Sequence, residues 1–211
     1  MCDVYVADST SVKKYAGGTG TPASIGSGWT SPFGVFVAAS GDVYVADRSD
    51  GTVTKVPGGT GTPELIGSGW VGPTSVFVTA SGDVYVADFD GHAVVKVPGG
   101  TGTPVTVNYY YFVTGQAPPH PFGVFVTTSG DVYVAESQIG LVVKVPGGTG
   151  TPENIGSGWT KPYGVFVTAS GDVYVADRTG AKVMKVPGGT GTPVAIGSGW
   201  SHPSSVSVRC V

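Results

Sequence analysis

Charge is scarce in this 211-residue chain: Asp, Glu, Lys and Arg make only 12% of it, and the net charge is -3. There is no basic stripe to meet phosphates and no acidic tail, so nucleic acid is not an expected partner. No apolar run approaches the roughly 18 residues that cross a bilayer, so no membrane partner is expected either. The first residues already belong to a repeat rather than to a secretion leader. Cysteine is almost missing: Cys2 and Cys210 are too few for a disulfide-dense miniprotein and form no CxxC metal or redox motif. No cofactor is expected, and no metal-ligand set is identified.

What the chain has in excess is turn residues, 36 Gly and 16 Pro, within a composition that is still 40% apolar. They recur at fixed places between runs rich in Val and Tyr, which reads as turns between strands rather than disorder. The phrase DVYVAD, once DVYVAE, starts at Asp3, Asp42, Asp83, Asp131 and Asp172, at intervals of 39, 41, 48 and 41 residues. A period near 41 signals a repeat architecture. Each unit, as in Gly164–Trp200, supplies four short strand-like runs, here called A to D: GVFVTAS, GDVYVADRTGA, KVMKVPGGTG and TPVAIGSGW. Alternate residues of GVFV are apolar on both faces, with Val35 and Val37 on one side and Phe36 on the other. Both faces must therefore be covered. Twenty short antiparallel strands grouped in fours and buried on both faces predict an all-β, five-bladed β-propeller, one domain over residues 1–211.

The chain enters at a strand B (Asp3–Asp8) and leaves on a lone strand A, SSVSVRCV (Ser204–Val211). This predicts a first blade shared between residues 1–29 and 201–211, whose N-terminal B-C-D strands pair with the C-terminal A strand and close the ring. At that closure Cys210 stands where other units have Ala or Thr, and Cys2 where they have Gly, on the two arms of one hairpin. Facing positions of that kind lie within disulfide reach, so a Cys2–Cys210 bond is expected, the alternative being two unrelated thiols. A native disulfide would favour an extracellular or periplasmic setting; an engineered or recircularised chain is equally open.

The unit PFGVFVAASGDVYVADRSDGTVTKV (Pro32–Val56) resembles the NHL repeat, in particular the bacterial kinase D sensor and virginiamycin B lyase-like groups. The resemblance covers the whole chain and implies a propeller, while saying little of function, because propellers host unrelated sites. The Asp that NHL repeats carry at the end of strand A is replaced here by Ala38, Thr79, Thr127, Thr168 and Arg209.

In an A-B-C-D meander the B-to-C and D-to-A connections leave at one end of each blade, and related propellers take ligands there. Asp8, Asp47, Asp88, Glu136 and Asp177 recur at that end; paired carboxylates serve hydrolysis, but a repeated acid also caps turn N–H groups. Trp29, Trp70, Trp159 and Trp200 read as packing wedges or sugar platforms. Lys14, Lys55, Lys96, Lys144 and Lys185 read as solvated strand ends. The repeat is broken by VNYYYFVTGQAPPH (Val107–His120), where Tyr109, Tyr110 and Tyr111 offer rigid contact area to a ligand, or else replace the missing Trp. His92, His120 and Asp90 map to the same end and complete the candidate ligand-binding set; a His pair with Asp90 has metal-ligand or acid-base chemistry.

The sequence thus predicts a monomeric binding, sensor or scaffold propeller without a catalytic site, produced by recent amplification of one blade or by engineering. Its expected partner is a small molecule, glycan or peptide at the B-to-C/D-to-A end. The alternatives are a propeller lyase or hydrolase and a glycan-binding lectin. The disulfide expectation is tested by mass: alkylation without reductant should leave the chain unmodified, and reductant should lower the melting temperature, because closing so long a loop is worth up to about 5 kcal/mol. Uptake of two alkyl groups by the unreduced protein would remove the bond.

Overall fold

The computed structural model describes residues 3–18, 21–110 and 117–207. They form an all-β, five-bladed propeller. The first sheet contains β1 (Val4–Asp8), β2 (Ser11–Tyr15) and β3 (Ala23–Ser24). The second contains β4 (Pro32–Val37), β5 (Val43–Asp47), β6 (Thr52–Val56) and β7 (Glu64–Leu65). The third contains β8 (Pro73–Val78), β9 (Val84–Asp88), β10 (Ala93–Val97) and β11 (Val105–Val107). The fourth contains β12 (Pro121–Val126), β13 (Val132–Glu136), β14 (Leu141–Val145) and β15 (Glu153–Asn154), and the fifth β16 (Pro162–Val167), β17 (Val173–Asp177), β18 (Lys182–Val186) and β19 (Val194–Ala195). Every sheet is an antiparallel meander in chain order, as the A-to-D reading predicts.

Among the described residues the first sheet has three strands, and Ser204–Ser207 are not assigned to a strand; residues 208–211, the rest of the expected closing strand with its Cys210, together with Cys2, lie outside the described residues. The C-terminal segment lies against the fifth sheet: a Cβ on Gly164 would meet Ser205 Cα at 2.8 Å. Gly34 meets the carbonyl of Thr74, from the start of β8, at the same distance, so this segment takes the place that a following strand A takes. Val4 of β1 is 45% exposed, whereas its counterparts Val43, Val84, Val132 and Val173 are fully buried.

Internal contacts divide the chain into two units, 1–91 with 95–105 and 92–94 with 106–211. In the first, Tyr44, Ala46 and Ile66 of the second sheet pack on Val76, Val78, Val84 and Val86 of the third. Phe36 meets Phe77 with ring centres 4.9 Å apart. In the second, Tyr133, Ala135 and Ile155 pack on Val165, Val167, Val173 and Val175, and Phe125 meets Phe166 at 5.0 Å. The doubly apolar strands are thus buried between sheets, which is why alternate residues of GVFV and VYV are both hydrophobic. Trp29, Trp70 and Trp159 are wedges packed against the cores, Trp200 is exposed, and in all four the indole N–H donates to the carbonyl of the Ile four residues earlier, at 2.7 to 2.9 Å. This satisfies the one polar atom of a ring otherwise used for packing.

At the A-to-B/C-to-D end the repeated lysines are not merely solvated. Lys14, Lys55, Lys96, Lys144 and Lys185 pair with Asp3, Asp42, Asp83, Asp131 and Asp172 at 2.7 to 3.2 Å. The same aspartates accept the N–H of the first Gly in each Gly-Gly turn, as Asp42 does from Gly58 at 2.9 Å. Gly58 has φ +56, a left-handed conformation that glycine adopts without strain. Lys96 and then the Gly99 N–H hold the Asp83 carboxyl below its ordinary value, and Lys185 and Gly188 do the same for Asp172. Carboxyls depressed in the fold contribute stability above the unfolded aspartate pKa and lose it as pH falls through the lowered values. The melting temperature should therefore hold near neutrality and drop below about pH 4, with a smaller drop in Asp83→Asn. An identical drop in that variant would exclude the contribution.

Candidate functional site

Strand A of each four-stranded blade begins with a bulge. Pro32 pairs with Asp47 and Gly34 with Ala46, so the register shifts at Phe33. Thr74, Phe122 and Tyr163 occupy the same bulged place in the other sheets. A bulge re-aims a side chain without disturbing the rest of the register. The residue after the repeated acid lies beside it, because its N–H donates to the carbonyl of the residue before the proline: Arg48 to Ser31, Phe89 to Gly72, Ser137 to His120 and Arg178 to Lys161.

The repeated acids hold this end together. Asp47 accepts the N–H groups of Thr30 and Ser31 at 2.7 and 2.8 Å and the Thr30 hydroxyl at 2.9 Å. Asp88 accepts from Val71 and Gly72, and Asp177 from Thr160 and Lys161. All three are buried, and their acceptor capacity is spent on the D-to-A connection. They are caps. Asp8, which follows no such connection in the first sheet, is exposed and accepts from its neighbour Ser9.

Glu136 varies this theme at the broken repeat. It is 0% exposed, accepts the Gln138 N–H at 2.9 Å and the Tyr109 hydroxyl at 3.2 Å, and burial pushes its carboxyl up. The extra methylene lets one carboxylate serve both a lengthened connection and a phenol. Tyr109 is correspondingly 4% exposed, and burial pushes its hydroxyl up as well. Tyr109, expected as a ligand-gripping ring, is a buried ring whose one polar atom is bonded. Tyr110 is half-buried, and Tyr111 lies outside the described residues.

The remaining sequence candidates separate. In the first unit the Asp90 carboxylate accepts the Arg48 Nε and Nη2 at 3.2 and 3.0 Å, so it is engaged by a cation and is not a partner for histidine. The Arg48 guanidinium also stands over the Phe89 and Phe33 rings, 4.7 and 5.7 Å from their centres. Phe33 is 47% exposed. In the second unit Phe122 and Tyr163 stack at 3.7 Å, and Arg178 lies 5.0 Å from the Tyr163 ring. There too His92 and His120 come together, with ring centres 4.5 Å apart, while His202 contacts Ser201. Among the described residues no group of three or more His, Cys, Asp or Glu is placed to hold a metal ion. Phe33, Arg48, Tyr163 and Arg178 were not singled out from the sequence, although these near-identical repeats differ at their positions.

Neither a family model nor a curated protein matches the chain. Its fold matches solved structures. A chain of a nidogen/laminin complex superposes with a TM-score of 0.82 at 13% identity, covering 98% of this chain and 82% of that one. The virginiamycin B lyase from Staphylococcus aureus gives 0.70 at 10% identity, over 92% and 66%, and a streptogramin B lyase 0.63 at 12%, over 78% and 53%. The chain thus spans less than two thirds of either lyase. The likeness to virginiamycin B lyase-like and nidogen propellers lies in the fold.

Because Asp47 satisfies two backbone N–H groups and a hydroxyl out of water, Asp47→Ala should cost about 2–4 kcal/mol in denaturant unfolding. Asp8→Ala should stay within about 0.5 kcal/mol. Equal losses would mean that the acids do not act as caps.

Proposed function

We propose that this chain is a non-enzymatic binding module whose ligand surface is the end of the blades that carries the B-to-C loops and D-to-A connections. The observation that supports this reading is where otherwise near-identical repeats diverge. DVYVA and PGGTGTP are kept, while the bulged position carries Phe33, Thr74, Phe122 or Tyr163 and the position after the acid Arg48, Phe89, Ser137 or Arg178. An exposed Phe33 beside the Arg48–Asp90 pair combines an apolar platform with donors and acceptors, the mixture that binds a glycan or peptide. Against a lyase or hydrolase stands the state of Asp47, Asp88, Glu136 and Asp177, whose oxygens are committed to internal donors. The repetition of the blade suits a scaffold on which this end is varied.

The test is a screen of the intact protein against glycan and peptide arrays, with Phe33→Ala and Arg48→Ala as controls, alongside incubation with virginiamycin B. The expected result is retention of one array class, weakened about tenfold or more by either substitution, and unchanged virginiamycin B. Turnover of virginiamycin B, or array binding indifferent to both substitutions, would overturn the assignment.

A further inference from the structure

Two departures from the repeat meet in the second unit. His92 has φ +58, in the left-handed region, at the place where blades two and four carry Gly51 and Gly140. A non-glycine residue held there stores strain, a feature that gathers at functional sites. The other departure is the lengthened connection of blade four, which ends in Pro118, Pro119 and His120. The His92 Nδ1 lies 2.9 Å from the Pro119 carbonyl, and the His120 Nδ1 3.0 Å from the Pro118 carbonyl.

A carbonyl only accepts, so each neutral ring carries its proton on Nδ1 and its lone pair on Nε2. Metal-binding histidines are prepared in the same way, by a backbone carbonyl that fixes the tautomer and the ring orientation. The ring spacing narrows the geometry. With a metal–nitrogen distance of about 2.05 Å, the ion lies about 3.2 Å from each ring centre, so ligands about 90° apart place their centres about 4.5 Å apart and tetrahedral ligands about 5.2 Å. The observed separation is 4.5 Å, with the rings 84° to one another.

We propose that His92 and His120 form a cis bis-imidazole site for a square-planar or octahedral late transition ion, Cu²⁺ or Ni²⁺, with water in the remaining positions. Two imidazoles without a carboxylate favour these borderline ions over Mg²⁺ and Ca²⁺, which require oxygen donors. The site does not depend on the binding surface assigned above.

The probe is Cu²⁺ titrated into the full chain after alkylation of any free thiol, followed by calorimetry and by electron paramagnetic resonance. One equivalent should bind with two equatorial nitrogens, and neither Mg²⁺ nor Ca²⁺ should compete. His92→Gly and His120→Ser install residues that other blades carry at these positions, so both variants should melt no lower than the parent. Each should nevertheless weaken Cu²⁺ about 100-fold, because the second ligand of a chelate acts at high effective concentration. His202→Ser should change nothing. Unaltered affinity in His92→Gly, a single coordinated nitrogen, or loss only in His202→Ser would each overturn the site.

Discussion

The buried carboxylate that closes the VYVA strand of each four-stranded blade is the contact on which the end carrying the D-to-A connections depends. A D-to-A connection crosses the end of its sheet with backbone N–H groups that no strand can take. Asp47, Asp88 and Asp177 take them, at 2.7 to 3.1 Å, from within the sheet. Their burial makes the bonds strong and their loss costly, since a buried donor without a partner pays its full desolvation. With the connection fixed, the proline that follows begins strand A in register, and the bulge falls at the next residue.

The broken repeat obeys the same constraint by other means. The longer connection still presents the His120 N–H, from the residue before the proline, to the acid, which here is Glu136 instead of Asp. Its added reach meets Tyr109, so the insertion is anchored by a buried phenol as well as by backbone. The Pro118–His120 turn is then held close to His92. Change of length, change of acid and the histidine pair occur together at this connection.

Much of the fold was legible because the repeat encodes it twice, in turn chemistry and in strands apolar on both faces. Strand order, the wedge role of the tryptophans and the capping role of the acids follow from those patterns. The sites were less legible. Tyr109 reads as an available aromatic in sequence, because nothing local reveals that Glu136, 27 residues later, receives its hydroxyl. The Lys–Asp pairs are hidden for a similar reason: they join the ends of neighbouring strands, and only the ladder register brings Tyr44 opposite Lys55 and thereby Asp42 within reach. The closing strand was expected from the phase of the repeat, which enters at strand B and leaves on strand A; its described part, Ser204–Ser207, lies against the fifth sheet.

The bulge has a bearing on how such a chain can change. Phe33 and its equivalents lie where the register shifts, so ladder pairing does not select the residue there, and its setting runs from the exposed Phe33 to the buried Thr74 and Phe122. Ladder register and the residue at the bulge are therefore written in different letters of the same 41-residue word. A blade can be duplicated whole, with its fold intact, and acquire a new surface through a few codons at the bulge and in the adjoining loop.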